Sequence, residues 1–212
     1  MTTIRRLAIL GTVLLGCIAP AIGASLSFQG NFVHDNDVQL FAFTLSADDT
    51  ITLQTFGYGG GVNANGQVIS AGGFESALQV FNAANGQAVG GPILPGPDPG
   101  CAPRNPDPAR FNFCQDAYAQ LFLTTGEYLL ALTQYQNLPI GNLSDGFFYV
   151  DAVPDPNFNN GFVGSFNLPG TSAWALDIVA VDSAQSAPEP STIMLAPAVL
   201  LFAAIAARKR VS

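Results

Sequence analysis

The stretch Val38–Leu45, with the sequence VQLFAFTL, alternates in the way that decides the fold class. Successive side chains of a β-strand point to opposite faces, so this stretch has two distinct faces when it is extended. One face carries Phe41, Phe43 and Leu45, and the other carries Leu40 and Ala42. A turn at Ala47–Thr50 and a second alternating run at Ile51–Phe56 follow. This pattern predicts an all-β fold.

The same kind of pattern continues along the chain. Further strands are predicted at Ala77–Phe81, Ala117–Leu123, Tyr128–Gln134, Gly146–Val153, Phe162–Phe166 and Ala173–Val181. The pieces between them are rich in Gly, Asn, Asp and Pro, which favour turns and disfavour helix. We therefore predict a single β-sandwich, similar to a jelly roll, with two long Gly/Pro-rich loops. These loops are Gly57–Gly73, which has little to pack, and Gly90–Phe113.

The N-terminal residues have the parts of a secretory signal peptide. Two arginines precede an apolar run from Leu7 to Ile18, and Ala21–Gly23 fits the small-x-small cleavage pattern. Residues 1–23 are therefore predicted to be a signal peptide, and 24–182 the exported domain. In the alternative interpretation, Cys17 ends a sequence that resembles a bacterial lipobox and becomes an acylated N-terminus.

The C-terminal part of the chain contains three elements in a fixed order. They are a linker at 183–192 with Pro188, Glu189 and Pro190, a hydrophobic transmembrane helix at 193–207, and a basic cytoplasmic tail at 208–212 with Arg208, Lys209 and Arg210. The apolar segment is shorter than the roughly 20 residues of a standard span. The pattern resembles the PEP-CTERM sorting signal of Gram-negative bacteria. The resemblance implies processing by an exosortase in a species that makes exopolysaccharide; an ordinary membrane tail is the alternative.

Charge is distributed unevenly along the chain. Fourteen of the fifteen acidic residues lie in 24–187, but only Arg104 and Arg110 of the seven basic ones do. Nucleic-acid binding needs a basic surface, so this class of function is excluded. Such an acidic surface also repels anionic lipid and acidic polysaccharide unless divalent cations intervene.

Cys101 and Cys114 are the two cysteines of the predicted exported domain. Cysteines of exported proteins usually pair, so we predict a disulfide between them. A reactive thiol or a metal-binding pair is the alternative.

Three segments resemble the pre-peptidase C-terminal domains of secreted bacterial proteins. Asp37–Leu53 is similar to the opening hairpin of those domains, Gly73–Gln87 to a middle strand and turn, and Thr125–Leu132 to a closing strand with Gly-x-Tyr. The resemblance implies a compact β-sandwich associated with surface or matrix binding. Peptidase activity is not implied, because no peptidase accompanies the domain.

Residues for catalysis are scarce. His34 is the only histidine, and no Gly-x-Ser-x-Gly sequence occurs, so neither a catalytic triad nor a zinc site is indicated. A carbohydrate-active hydrolase that uses two carboxylates remains an alternative. Asp35 and Asp37 are the candidate ligands of a structural calcium ion, since Ca²⁺ prefers carboxylate oxygens in turns.

Aromatic residues give one more candidate chemistry. Tyr58, Tyr118, Tyr135 and Trp174 could stack on sugars if they are exposed. A regular ladder of threonines, as an ice-binding face would need, is not evident beyond Thr50, Thr52 and Thr55.

Together these features predict a non-enzymatic protein without a required cofactor. It is expected to be exported through the inner membrane of a Gram-negative bacterium, held by its C-terminal helix, and released to the cell surface or matrix. Its predicted partners are signal peptidase, the exosortase and extracellular polysaccharide. The alternatives are a secreted carbohydrate-active hydrolase and a calcium-dependent module that binds glycan or ice.

Overall fold

The computed structural model describes residues 23–96, 115–149, 162–163 and 169–187. These residues form fifteen β-strands and one short 3-10 helix at Leu143–Asp145. The strands are β1 (Ala24–Asn31), β2 (Val38–Leu45), β3 (Asp49–Thr55), β4 (Gly61–Val62), β5 (Val68–Ile69), β6 (Ser76–Asn82), β7 (Ala88–Ile93), β8 (Tyr118–Leu123), β9 (Gly126–Gln134), β10 (Asn137–Pro139), β11 (Phe147–Tyr149), β12 (Phe162–Val163), β13 (Pro169–Gly170), β14 (Ala173–Val181) and β15 (Ser183–Ala187). In this described part of the chain, no helix is long and apolar enough to cross a membrane.

Two antiparallel sheets form a sandwich. The first sheet has the strand order β1-β14-β3-β8, and the second has the order β15-β2-β9-β6-β7. The chain passes from one sheet to the other at most connections between these strands, so residues distant in sequence become neighbours. The prediction of an all-β sandwich is confirmed.

Side chains from both sheets fill the space between them. As the alternation of β2 predicts, Phe41, Phe43 and Leu45 point inward, where they meet Ile51 and Leu53 of β3. Each such side chain contributes about 1.5–3 kcal/mol when it is fully buried. The other buried members of this core are Phe32, Phe74, Leu78, Val80, Ala117, Leu123, Tyr128, Leu130, Leu132, Trp174, Leu176, Ile178 and Val181.

The strands β2 and β3 form an arch between the sheets and not the hairpin that the resemblance implied. β2 pairs with β9 and β15, whereas β3 pairs with β14 and β8. The physical reason is that both strands carry one strongly apolar face. When the strands lie in opposite sheets, these faces meet across one core.

The second sheet is also covered on its outer face. Leu40 of β2 and Phe81 of β6 point outward and belong to a second buried cluster with Leu143 of the 3-10 helix. The ring of Phe147 in β11 meets Phe81 edge-on at a centroid distance of 6.5 Å. The segment from β10 to β11 therefore covers part of this sheet, including Leu40, which explains why both faces of β2 are apolar.

The first long loop packs more than the sequence indicates. Within Gly57–Gly73, β4 and β5 pair as a short hairpin, and Ile69 is buried against Phe56 and Ala175. The expectation that this loop has little to pack is wrong. Its apolar residues are too widely spaced to show a period, and its attachment depends on backbone amides that a sequence pattern does not reveal.

The second long loop, predicted at Gly90–Phe113, starts within a strand. β7 runs from Ala88 to Ile93 at the edge of the second sheet, and Pro95 forms an isolated bridge with Ala117. Because β7 contains two glycines and a proline, its sequence resembles that of a loop. Residues 97–114, with both cysteines of the predicted disulfide, lie outside the described residues.

The domain also extends beyond its predicted end. The linker was expected to begin at 183, but Ser183–Ala187 forms β15, which pairs with β2 from Ser183–Thr44 to Ala187–Leu40. Its small and polar side chains give no apolar alternation, because an edge strand needs only its backbone to pair. The predicted transmembrane helix at 193–207, the basic tail at 208–212 and the signal segment up to Ile22 lie outside the described residues.

Candidate functional site

The outer face of the first sheet is divided into a covered half and an open half. Side chains at alternate positions of β1, β14, β3 and β8 point outward, and the strand register aligns them in rows. One row is Ser27, Asp177, Gln54 and Tyr118, and the next is Ser25, Val179, Thr52 and Gln120. Beyond them, Thr50 lies beside Phe122.

Asp177 fastens the β4–β5 hairpin over the covered half. Its carboxylate accepts hydrogen bonds from the Ser27 hydroxyl at 2.5 Å and from the backbone N–H of Ala64 at 2.7 Å. A second contact joins the hairpin to β1, because Gln29 donates its side-chain amide to Gln67 at 3.0 Å. Asp177 is consequently buried, although it belongs to an outward-facing row.

Asp116 holds the segment that leads into this hairpin. Only 5% of Asp116 is exposed. Its carboxylate accepts the backbone N–H groups of Tyr58 at 3.1 Å and Gly59 at 2.7 Å, as well as the Thr55 hydroxyl at 3.1 Å. The Thr55 oxygen in turn accepts the N–H of Ala117 at 2.8 Å. Buried carboxylates of this kind stabilise a fold when backbone donors satisfy them.

The other half of the face is open to solvent, and we call it the open face. It consists of Ser25, Thr50, Thr52, Tyr118, Gln120, Phe122 and Val179. The Phe122 side chain is 68% exposed. Tyr118, Thr52 and Val179 are half-buried, and the remaining members are exposed.

The open face contains no Asp, Glu, Lys, Arg or His side chain. Asp177, the one carboxylate in the outward-facing rows of the first sheet given above, lies under the hairpin. Asp48 and Asp49 lie at the start of β3, where Asp48 accepts the N–H of Thr125 at 2.8 Å. A neutral surface is notable in a chain with a formal charge of −8. It combines aromatic rings with hydroxyl and amide groups, a mixture that can stack and hydrogen-bond at the same time.

One residue of the open face is among those predicted from the sequence to stack on sugars. Tyr118 was a candidate for stacking on sugars and lies on the open face, whereas the candidates Tyr58 and Trp174 are buried. Tyr135 is half-buried at the end of β9. Phe122 was missed, since it stands between two leucines and the local sequence shows no apolar–polar alternation.

The two predicted calcium ligands, Asp35 and Asp37, lie in the turn before β2. Asp37 accepts the backbone N–H groups of Val33 at 2.7 Å and His34 at 2.8 Å, and its other oxygen lies 3.5 Å from His34 Nδ1. Asp35 is buried. The turn alone thus accounts for Asp37. In the described ranges, no three His, Cys, Asp or Glu side chains cluster in a way that could hold a metal ion. Calcium binding stays a prediction.

The remaining predicted site residues lie outside the described residues. They are Cys101 and Cys114 of the disulfide, and Pro188, Glu189, Pro190, Arg208, Lys209 and Arg210 of the sorting signal. These pairing and sorting predictions therefore stay predictions.

Comparison with known proteins gives no family assignment. No protein-family model matches the chain, and no curated protein matches it either.

Proposed function

We propose that this chain is a non-enzymatic protein of the bacterial cell surface or exopolysaccharide matrix. In this proposal, signal peptidase removes 1–23 and an exosortase recognises the PEP-CTERM signal at Pro188–Pro190. The structural observation that supports a binding role is the open face, a neutral surface with an exposed aromatic ring on an otherwise acidic chain.

The use of the buried carboxylates also favours a binding protein over a hydrolase. Glycoside hydrolases need two carboxyl groups that flank the scissile bond, about 5–9.5 Å apart. Asp116 and Asp177 both accept backbone N–H groups and side-chain hydroxyls, which is the role of structural anchors. Two buried acids that hold the protein's own loops in place fit a scaffold that presents a surface.

We further infer that the sandwich is of the jelly-roll type. Eight of its longer strands are β1, β2, β3, β6, β7, β8, β9 and β14. Numbered one to eight, they give the order 1-8-3-6 in the first sheet and 2-7-4-5 in the second, with β15 as an added edge strand. Jelly rolls include capsid, lectin and cupin domains, so the fold is compatible with binding but does not specify it.

The sorting proposal can be tested with the full-length chain in an exosortase-containing host. Replacing both Pro188 and Glu189 with alanine should shift the protein from the surface and matrix fractions to the membrane fraction. Pro139→Ala, a change in β10, is the control and should leave the distribution unaltered. An unchanged distribution of the double variant, or wild-type chain confined to the cytoplasm, would contradict the proposal.

A second measurement addresses catalysis. The purified full-length protein should release no new reducing ends from the exopolysaccharide of its host. Sustained release that scales with protein concentration would replace the binding proposal with the hydrolase alternative.

A further inference from the structure

The open face is the part of the first sheet's outer surface that the β4–β5 hairpin does not cover. Part of the outer face of the second sheet is covered by the chain's own β10–β11 segment, and half of the first sheet is covered by the β4–β5 hairpin. The other half keeps Phe122 exposed. The Phe122 ring on the open face is therefore accessible to a ligand from outside the described chain.

The chemistry of the open face limits what that partner can be. Along β8, Tyr118, Gln120 and Phe122 alternate ring, amide and ring on the outward side. Thr50 and Thr52 of the neighbouring strand add two hydroxyl groups. A purely apolar partner would bury these amide and hydroxyl groups without hydrogen bonds, which is unfavourable. The partner must therefore offer apolar surface and hydrogen-bonding groups in close alternation.

The absence of charge on the open face limits the chemical class of the partner further. A basic protein or a cation would gain nothing from a face without exposed carboxylates, and an acidic polymer would be repelled by the surrounding acidic chain. A neutral polysaccharide meets both conditions. Its sugar rings present C–H groups that stack on aromatic faces and hydroxyl groups that pair with Gln and Thr side chains.

We propose that the open face is a binding site for a neutral, extended polysaccharide, which Phe122 and Tyr118 bind by stacking while Thr50, Thr52 and Gln120 bind by hydrogen bonds. The positions of Tyr118 and Phe122 are four residues apart on one strand, roughly 13 Å. This distance exceeds one sugar ring, so the site suits a chain and not a single monosaccharide. The inference rests on the proposed binding role and names its ligand class and site.

The test uses affinity electrophoresis of the full-length chain in native gels that contain hydroxyethyl cellulose, galactomannan or dextran. At least one of these neutral polymers should retard the wild-type protein. Phe122→Ala should weaken the retardation about five- to tenfold, as expected for the loss of one stacking ring. Phe148→Ala is the matched control, because Phe148 is 61% exposed but lies in β11, outside the open face. It should migrate like the wild type.

Each other outcome overturns the inference. Absence of retardation in all three polymers, equal effects of the two variants, or stronger retardation in acidic alginate would do so. Self-association that Phe122→Ala abolishes, without retardation by any neutral polymer, would assign the face to a second copy of the chain. Because this assay measures binding in vitro, its failure is separate from failure of the sorting experiment, which measures location.

Discussion

The carboxylate of Asp116, two positions before β8, accepts the backbone N–H of Gly59 at 2.7 Å, which links β8 to the segment that leads into the β4–β5 hairpin. This contact connects two positions 57 residues apart in sequence. Because the hairpin covers half of the outer face of the first sheet, the same contact helps to determine which half stays open.

Asp116→Asn should destabilise the protein by about 2–3 kcal/mol. The amide of asparagine has one acceptor oxygen, so it cannot accept all the hydrogen bonds that the carboxylate accepts, and hydrogen bonds to charged groups contribute about 1.5–3 kcal/mol. The free energy of unfolding from urea titration measures the effect. The exposed Glu127→Gln change is the control and should lie within about 0.5 kcal/mol of wild type. A variant of Asp116 as stable as the control would contradict the anchoring role.

Gly30→Ala should destabilise the core through Trp174. A Cβ atom on Gly30 would stand 2.3 Å from Trp174 Cζ2, inside van der Waals contact. We expect a loss of about 1–3 kcal/mol from this overpacking. Trp174→Phe removes the ring atoms that clash, so the double variant should be more stable than the sum of the single changes indicates. Strict additivity in thermal unfolding would show that the two residues do not compete for this space.

Ala180→Gly should stabilise the protein by about 0.5–1 kcal/mol. Ala180 has φ +66°, a left-handed conformation that is unfavourable for alanine, and it lies where the β1–β14 register shifts. Ala175→Gly in the same strand is the control. Ala175 is buried and its φ is not positive, so that change should be destabilising. Opposite signs in the two unfolding free energies are the expected result; equal losses would exclude strain at Ala180.

Asp37→Ala should lower stability by about 1 kcal/mol, and by the same amount in calcium and in chelator. The reason is that the Asp37 carboxylate caps the turn through the Val33 and His34 amides. Melting temperatures in both buffers provide the test, with Asp145→Ala, in the 3-10 helix, as a second capping residue for comparison. A loss confined to the calcium buffer would support the calcium-site hypothesis.

The sequence predicts strands well where one face is strongly apolar. The bounds of β2 and β14 agree with the predicted runs, and Phe41 and Phe43 point inward as their alternation requires. The sequence does not predict the elements whose position depends on backbone hydrogen bonds. β15 is held by backbone pairing with β2, whereas the β4–β5 hairpin is held by its own backbone pairing and by the buried carboxylate of Asp177. Neither kind of contact produces a regular spacing of apolar residues in the sequence.

The open face could likewise be predicted only in part from the sequence. Tyr118 could be proposed from its chemistry alone, but the position of Phe122 beside Thr50 depends on the register of β3 with β8. Likewise, the order of two strands in sequence could not show that β2 and β3 belong to different sheets. Which strands pair with one another depends on the packing of the whole core, so the alternation within one strand does not predict its partners.

The position of β15 has a mechanical consequence. Ser183–Ala187 is an edge strand paired only with β2, through five residue pairs, and it is the last described element of the chain. Tension applied to the polypeptide beyond Ala187 would therefore load the β15–β2 ladder before any other strand. The small and polar side chains of β15 contribute little to the core, so this strand can peel away at low force while the sandwich stays folded. If the C-terminal part is attached to the cell, detachment of β15 would lengthen the chain between the point of attachment and the open face.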